Sequence, residues 1–239
     1  MTSTPLFRDD AYQADCEARV IGLTPEGGII CDASVFYPTG GGQPGDSGRL
    51  EWDGGAIAIA TAIKGDAGAI ILIPAAPDSL PPIGTRVTQR LDWTLRHRHM
   101  RVHTALHLLS VVIALPVSGG SIGSDKGRLD FDMAEPPEDK QAIEDQLNAL
   151  IERDLTVSED WITDEALLAD PSLVKTMSVM PPMGQGRVRL VRIGAGADQV
   201  DLQPCGGTHV ARTSEIGRVR LGKIEKKGRQ NRRVTLHLD

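Results

Sequence analysis

Hydrophobic residues in about the first 90 positions occur in short stretches that glycine, proline and aspartate interrupt. Four of these stretches lie at positions 18–22, 28–32, 56–60 and 69–73. Short β-strands with turn residues between them are typical of a small barrel or sandwich. A proline-rich break precedes one more predicted strand at 86–92. We therefore predict a β-rich N-terminal domain over residues 1–91.

From about residue 93 the pattern changes, because apolar positions recur at helical spacing as far as about residue 114. Pro116, Gly119 and Gly120 are predicted to end this helix. A strongly acidic helix is predicted to start at Pro136 and to run to about residue 154. The second domain, residues 92–239, is thus predicted to be α+β, with a short helix near 163–170 and strands near 128–133, 156–161, 188–193, 199–202, 216–221 and 233–238.

The composition narrows the class of protein. The 239 residues suffice for one large domain or two modest ones, and 40% hydrophobic with 24% charged residues is usual for a soluble globular protein. No apolar run reaches the roughly 18 residues of a membrane span, and the N-terminus does not resemble a secretory signal. Aromatic residues make up only 3%, too few for rows of stacked nucleobases. The three cysteines, Cys16, Cys31 and Cys205, form no disulfide framework, which favours a reducing cytoplasm.

The formal net charge of −6 conceals two segments of opposite sign. Residues 130–170 carry 14 acidic side chains against two basic ones, a local charge of −12. Residues 187–239 carry 12 basic side chains against five acidic ones, a local charge of +7. A basic segment can attract a polyanion such as a nucleic acid even on an acidic protein. It can equally be an ordinary solvated surface, so charge alone leaves both interpretations open.

Two pairs of residues point to a metal site. His103 and His107 are four positions apart on the predicted helix, so both rings lie on one face, although ordinary neighbours share this spacing. Cys205 and His209 repeat the spacing, and the glycines between them allow both side chains to turn toward one point. One thiolate with three imidazoles suits Zn²⁺. Such a set can serve a closed structural site or a catalytic site with an open position.

The segment FYPTGGGQPGDSG, residues 36–48, is unusually rich in glycine. It matches neither the phosphate-binding loop nor the dinucleotide-binding fingerprint, and Pro44 would block the helix that the fingerprint requires. Glycines at 40–42 permit a close approach of the backbone, with polar side chains at Thr39 and Gln43. From these residues alone, a tight bend between strands and a substrate-binding loop are equally well supported.

Five motifs together resemble those of the alanyl-tRNA editing proteins, the AlaX family, which are freestanding relatives of the editing domain of alanyl-tRNA synthetase. They follow one another over almost the whole chain: FYPTGGGQPGDSG (36–48), HTALHLL (103–109), SGGSIGSDKGRLDF (118–131), QPCGGTHV (203–210) and KIEKKGRQNRRV (223–234). The resemblance implies an N-terminal small β-barrel and an α+β editing domain with an antiparallel sheet. One departure is Leu106, where many synthetase editing domains have a hydroxyl residue.

The resemblance also implies a cytoplasmic hydrolase that acts in trans, without ATP, on tRNA(Ala) carrying the wrong amino acid. Seryl-tRNA(Ala) is the expected substrate and glycyl-tRNA(Ala) a further one. One Zn²⁺ per chain is expected to bind His103, His107, Cys205 and His209. We expect a monomer or weak homodimer with no membrane partner. Two other interpretations are a zinc hydrolase of a small-molecule ester or amide, and a tRNA-binding module with structural zinc.

Further residues are candidates for contacts to the ligands and the substrate. Asp201 and Gln203, close to Cys205 in sequence, are expected to hold metal ligands by hydrogen bonds, while a purely structural role of Asp201 is equally well supported. Thr39 is our candidate for recognising the seryl hydroxyl, since a site built to bond a hydroxyl can reject its analogue by roughly 10⁴-fold. The expected aminoacyl contacts are Thr39, Gly40, Gly41, Gly42, Gln43 and Ser121. The expected tRNA contacts are Arg96, Arg98, Arg101, Lys126, Lys223, Lys226, Lys227, Arg229, Arg232 and Arg233.

Overall fold

The computed structural model describes residues 1–76, 79–170, 173–174 and 186–239. The chain forms two compact units, Met1–Arg98 and His99–Asp239. Helix α1, Trp93–Val112, begins in the first unit and ends in the second. The predicted domain boundary after residue 91 falls just before this helix and stays a prediction.

A closed antiparallel barrel of six strands forms the N-terminal unit. The strands of this unit are β1 (Thr4–Pro5), β2 (Asp15–Leu23), β3 (Ile29–Cys31), β4 (Ala33–Ser34), β5 (Gly48–Trp52), β6 (Gly55–Lys64), β7 (Ile70–Pro74) and β8 (Arg86–Leu91). The barrel order is β2-β3-β7-β6-β5-β8, and β8 closes the ring by pairing with β2. The short strands β1 and β4 form a separate parallel pair. The predicted N-terminal barrel is therefore confirmed.

Alternation along the strands explains why this segment closes into a barrel. In β2 buried and less buried residues alternate over nearly the whole strand, as expected when one face lines the core and the other faces solvent. The inward side chains form one apolar cluster that includes Val20, Ile29, Leu50 and Leu72. Burial of such aliphatic side chains stabilises the unit by about 1.5–3 kcal/mol each.

The C-terminal unit combines two antiparallel sheets with helices. Its elements after α1 are β9 (Val117–Ile122), β10 (Lys126–Asp132), α2 (Lys140–Glu152), β11 (Val157–Thr163), α3 (Asp164–Ala169), β12 (Arg187–Ile193), β13 (Asp201–Pro204), β14 (Val219–Leu221), β15 (Glu225–Gly228) and β16 (Asn231–Leu238). One sheet has the order β14-β16-β10-β9, with β15 also paired to β16, and the other has the order β11-β12-β13. The predicted α+β class with an antiparallel sheet is confirmed.

Helix α1 is buried on all sides over residues 102–110, so its C-terminal half lies inside the core of this unit. The acidic helix α2 begins at Lys140 instead of the predicted Pro136, because the Asp139 side chain accepts a hydrogen bond from Ala142 N at 3.0 Å and caps it. Strand β9 contains Gly119 and Gly120, which were predicted to lie in a break. None of the helices in the described ranges is long and apolar enough to cross a membrane.

Candidate metal centre

Two elements bring four potential metal ligands together. His103 and His107 lie one turn apart on α1, and Cys205 and His209 lie just after the end of β13. One ligand atom from each side chain lies within 4.8 Å of all the others. The sulfur of Cys205 is 3.4 Å from His103 Nε2 and 3.3 Å from His209 Nε2. The two distant pairs recognised in the sequence therefore form one cluster.

The spacing within the cluster fits a tetrahedral zinc ion. Zinc–nitrogen and zinc–sulfur bonds of about 2.1 and 2.3 Å place two nitrogens of a tetrahedron roughly 3.4 Å apart and a sulfur and a nitrogen roughly 3.6 Å apart. The two measured sulfur–nitrogen distances, 3.4 and 3.3 Å, are slightly shorter than this value, and all four ligand atoms lie within 4.8 Å of one another. Three of the four residues are buried and Cys205 is half-buried, so Cys205 is the most exposed residue of the cluster. The donor set and its spacing can hold a metal ion, and they suit Zn²⁺.

Hydrogen bonds hold the His107 ring from the side opposite the cluster. Its Nδ1 lies 3.0 Å from Asp201 Oδ2, and Gln203 Nε2 donates to the same carboxylate oxygen at 2.8 Å. With a proton on Nδ1, donated to Asp201, the lone pair of His107 Nε2 is free for a metal. Asp201 and Gln203, both buried, thus lie where the sequence placed them, beside a ligand.

Thr104 holds the His209 ring in a similar way, although it was not among the residues predicted from the sequence. Its hydroxyl donates to Met100 O at 2.9 Å and lies 3.1 Å from His209 Nδ1. Since the hydroxyl proton is taken by the carbonyl, its oxygen accepts from Nδ1–H of His209, which leaves Nε2 unprotonated. The signal in the sequence was a hydroxyl residue directly after His103, in the half of the helix that also carries His107.

The pKa values of the Cys205 thiol and of the histidine rings depend on one another. Burial alone would raise the pKa of the Cys205 thiol, but the charges of His103 and His209 hold that pKa well below its ordinary value. Burial lowers the pKa of His107, and the hydrogen bonds to Asp201 and Cys205 outweigh this effect and raise it to about 9. Burial, together with the charge on His103, lowers the pKa of His209 well below its ordinary value. Metal binding requires a thiolate and neutral imidazoles, so a bound ion would have to displace the additional proton of His107.

Comparisons with known proteins assign this site to a family. Residues 188–235 match the family model described as the threonyl and alanyl tRNA synthetase second additional domain. The chain is 33% identical to the alanyl-tRNA editing protein AlaX-M of Methanosarcina barkeri over 238 residues, which cover 96% of both chains. It is 30% identical to the AlaX-M protein of Saccharolobus solfataricus over 234 residues, again 96% of each chain.

This chain belongs to the alanyl-tRNA editing protein family. The alanine–tRNA ligase of Caldivirga maquilingensis is also similar, with 31% identity over 230 residues that cover 92% of this chain and 25% of that enzyme. The family resemblance predicted from the five motifs is therefore confirmed.

In this editing-family member, the glycine loop is a two-residue hairpin. The backbone of Gly40 exchanges hydrogen bonds with that of Gln43, at 3.1 and 3.0 Å. Between them Gly41 and Gly42 have φ of +58° and +80°, a combination that the type I′ turn requires and that favours glycine. The glycines therefore have a structural reason for being there. Gly40, Gly41 and Gly42 are not buried, whereas Gln43 is buried.

The other predicted substrate residues lie in different units. Thr39 is in the N-terminal unit, where its hydroxyl donates to Ala62 O at 3.3 Å and accepts from Gly45 N at 2.9 Å. Ser121 is half-buried on β9 in the C-terminal unit, opposite Arg128. Their role in substrate binding stays a prediction.

Two of the predicted tRNA contacts are corrected by the structure. Arg96 is fully buried and binds Asp46 in an ion pair, while it also donates to Ala11 O at 2.8 Å and Val35 O at 2.6 Å. Arg232 is 5% exposed and donates to backbone carbonyls, among them Gly228 O. A guanidinium whose donors bind internal acceptors cannot reach a phosphate, so both side chains stabilise the fold instead.

The remaining basic candidates differ in their exposure. Arg101 is half-buried and donates to Ile216 O through Nε at 2.9 Å and Nη2 at 2.7 Å. Arg233 is half-buried and binds the Asp130 carboxylate with two hydrogen bonds, at 2.7 and 2.9 Å. Exposed side chains belong to Arg98, Lys126, Lys223, Lys226, Lys227 and Arg229. Four of these six lie on or beside the β15–β16 hairpin.

Proposed function

We propose that this protein hydrolyses the ester between tRNA(Ala) and a wrongly attached amino acid, with serine as the main amino acid and glycine as a further one. It would act in trans, on tRNA released by the synthetase. The observation that carries the proposal is the four-donor cluster in a chain that aligns over 96% of its length with alanyl-tRNA editing proteins. Serine needs a separate hydrolytic site because a pocket that accepts alanine cannot strongly exclude an analogue with one added hydroxyl.

The metal that we propose for the site is one Zn²⁺ held by His103, His107, Cys205 and His209. When bound, zinc supplies Lewis-acid chemistry to an ester carbonyl or to water. The half-buried Cys205 is the most exposed of these ligands, and an aminoacyl group would enter beside it. Four protein ligands alone would make a closed structural site, so we expect catalysis to require that one ligand, with Cys205 as the candidate, yields its position to water or substrate.

The chain's own residues orient the ligand rings and keep protons at defined atoms. Asp201 accepts the Nδ1 proton of His107, and Thr104 accepts the Nδ1 proton of His209. Gln203 keeps the Asp201 carboxylate in place by its hydrogen bond of 2.8 Å. Such contacts fix the tautomer and the ring orientation, and their loss lowers metal affinity or activity by about 10–100-fold.

Thr39 remains our candidate for discriminating seryl from alanyl esters. Its hydroxyl proton is given to Ala62 O, so a seryl hydroxyl would have to donate to Thr39 Oγ1. We expect Thr39→Val to reduce the ratio of seryl- to alanyl-tRNA hydrolysis, and Thr39→Ser to preserve it. An unchanged ratio in Thr39→Val would remove Thr39 from the proposal. Ser121 and the exposed amides of the glycine turn would then be the next candidates.

For the tRNA, we propose that exposed basic side chains contact its phosphates. The group comprises Arg98, Lys126, Lys223, Lys226, Lys227 and Arg229. Phosphate contacts position the substrate and carry no sequence information, so recognition of the acceptor end must involve further contacts. A cytoplasmic location, a monomeric or weakly dimeric state and a domain boundary near residue 91 also belong to this proposal.

The experiment that tests the function compares three substrates. Purified protein is incubated with seryl-, glycyl- and alanyl-tRNA(Ala), and the surviving ester is counted over time. We expect rapid loss of seryl ester, slower loss of glycyl ester and survival of alanyl ester, and no loss with His103→Ala. Hydrolysis of a free serine ester at an equal rate would favour a small-molecule hydrolase. Stable esters with folded, zinc-loaded protein would favour a tRNA-binding module.

A further inference from the structure

Arg189 lies on β12 and is buried, and its guanidinium donates hydrogen bonds to the loop that carries Cys205. Only 7% of the residue is exposed. Its Nη1 donates to Cys205 O at 2.8 Å and to Gly207 O at 3.0 Å. Its Nη2 forms an ion pair with Glu159 on the neighbouring strand β11. A buried guanidinium is costly unless it is paired. The partners of the Arg189 guanidinium are the Glu159 carboxylate on β11 and the backbone carbonyls of Cys205 and Gly207 in the loop.

These contacts fix the direction of the peptide groups in the loop. No described peptide bond is cis, so each carbonyl points away from the N–H that follows it. Since Cys205 O points toward the buried Arg189, the N–H of Gly206 points to the opposite side. In the next peptide, Gly207 N–H donates to Cys205 Sγ at 3.4 Å. The loop thus offers one amide to the sulfur and turns another away from the protein interior.

The surroundings of Gly206 are open. The residue is exposed, and a Cβ atom built on it would meet no other atom within 4 Å. In the described part of the chain, the Gly206 N–H has no hydrogen-bond acceptor. It belongs to the residue directly after Cys205, the most exposed residue of the cluster. A fixed backbone donor in such a position is what stabilises an oxyanion in acyl-transfer sites.

We propose that the Gly206 N–H donates a hydrogen bond to the carbonyl oxygen of the substrate ester, and that Arg189 is the positioning residue that aims it. This inference rests on the proposed deacylase function. When water adds to the ester carbon, the electron pair of the C=O bond moves to the carbonyl oxygen, where Gly206 N–H meets the growing charge. The bond to the ribose oxygen then breaks, the C=O bond forms again, and the ribose oxygen takes up the proton that the attacking water gives up.

The test replaces Arg189 and compares it with a neighbour on the same strand. Arg192 also lies on β12 and pairs with an acidic residue of β11, Asp160, at 2.8 Å, but it contacts neither Cys205 nor Gly207. We expect Arg189→Met to lower kcat for seryl-tRNA(Ala) about 100-fold with KM changed less than about threefold. Arg192→Met should change neither constant by more than about twofold.

A second variant guards against misfolding, because Arg189→Met leaves Glu159 without its partner. Arg189→Lys keeps a positive charge, but its single nitrogen replaces two, Nη1 for the carbonyls of Cys205 and Gly207 and Nη2 for Glu159, so it cannot keep all three contacts in place. We expect it to fold and to lose kcat about tenfold or more. A kcat equal to that of the parent protein in Arg189→Lys would overturn the positioning role. A rise in KM with an unchanged kcat would also overturn it.

Two readouts do not depend on activity. With Co²⁺ in place of zinc, the sulfur-to-cobalt charge-transfer band should shift in Arg189→Met and stay in place in Arg192→Met. In protein labelled with ¹⁵N-glycine, the Gly206 amide proton should move downfield when 3′-serylamido-3′-deoxyadenosine is added. An unmoved Gly206 resonance with bound analogue would overturn the donor role, while the deacylase function would stand. A parent protein that leaves seryl-tRNA(Ala) intact would refute the function, and with it this inference.

Discussion

At the residue scale, the metal cluster depends on side chains that do not themselves bind the metal. Thr104 is fully buried and divides its hydroxyl between Met100 O and His209. Asp201 and Gln203 were recognisable in the sequence only by their nearness to Cys205. Thr104 lies between His103 and His107 in the sequence. Its contact with His209 depends on the packing of α1 beside the loop that carries His209, which the sequence does not show.

Replacing Thr104 by valine keeps the shape of the side chain and removes its hydroxyl. We expect zinc affinity to fall by about 10–100-fold, because His209 loses the acceptor that fixes its tautomer. Competition with a coloured chelator measures the dissociation constant. Thr94→Val, at an exposed position on the same helix, is the matched control and should leave the affinity unchanged. Equal affinities in both variants would contradict the role given to Thr104.

At the element scale, ion pairs connect distant segments within each unit. Asp46 follows the glycine turn and accepts from Tyr37 N at 2.6 Å as well as from Arg96, so it joins that segment to the first turns of α1. In the C-terminal unit, Asp130 on β10 binds Arg233 on β16, directly opposite in the antiparallel register. The sequence showed these charges but not their partners, which lie 50 and 103 positions away.

Arg96→Met should destabilise the N-terminal unit strongly. It leaves the buried Asp46 carboxylate without its cation, and removing one partner of a buried pair costs about 3–5 kcal/mol. Arg98→Met, at an exposed position two residues further along the helix, should cost less than about 1 kcal/mol. Urea unfolding of both variants measures the difference. Similar unfolding midpoints would show that the Arg96–Asp46 pair does not stabilise the fold.

The Asp130 pair predicts a pH dependence of stability. Burial alone raises the pKa of the Asp130 carboxyl, but hydrogen bonds from Arg233 and Arg128 outweigh it and hold that pKa below its ordinary value. A carboxyl with a lowered folded pKa stabilises the fold above its unfolded pKa of about 3.9, and this contribution is lost as the pH falls through the folded pKa. Asp130→Asn should therefore be less stable than the parent at pH 6.

The difference between the two proteins should shrink as the pH falls below about 4. Urea unfolding at pH 6, 4 and 2.5 follows it. A difference that stays constant over this range would mean that the pairing of Asp130 with the two arginines does not contribute to stability.

At the scale of the whole molecule, much of the architecture could be predicted. Short apolar stretches predicted a small barrel or sandwich, and the family resemblance pointed to the barrel. Helical spacing predicted α1, because local patterns largely decide such an element. Strand β9 was missed because its glycines signal a break in isolation, and Arg96 was misassigned because a charge in the sequence does not reveal burial. The pairing of Cys205 with His103 across 102 positions is a property of the folded chain, so only the combination of motifs suggested it.

The segregated charge predicts a salt-dependent interaction with tRNA. Removing two proposed phosphate contacts, in the double variant Lys226→Gln with Arg229→Gln, should flatten the plot of log affinity against log salt by about 1.4–1.8. Arg49→Gln, an exposed change in the barrel, is the control and should leave the slope unchanged. A slope that is the same in all three proteins would exclude the β15–β16 hairpin from the tRNA interface.

Zinc-dependent hydrolysis of seryl-tRNA(Ala) is tested most directly by the initial rate of one preparation in three states. These are the zinc-loaded protein, the protein stripped by a chelator, and the stripped protein after zinc is restored. We expect the rate to fall roughly 100-fold or more when zinc is removed and to recover fully with one Zn²⁺ per chain, while alanyl-tRNA(Ala) stays intact throughout. A folded, metal-free protein that hydrolyses seryl-tRNA(Ala) at the original rate would contradict this expectation.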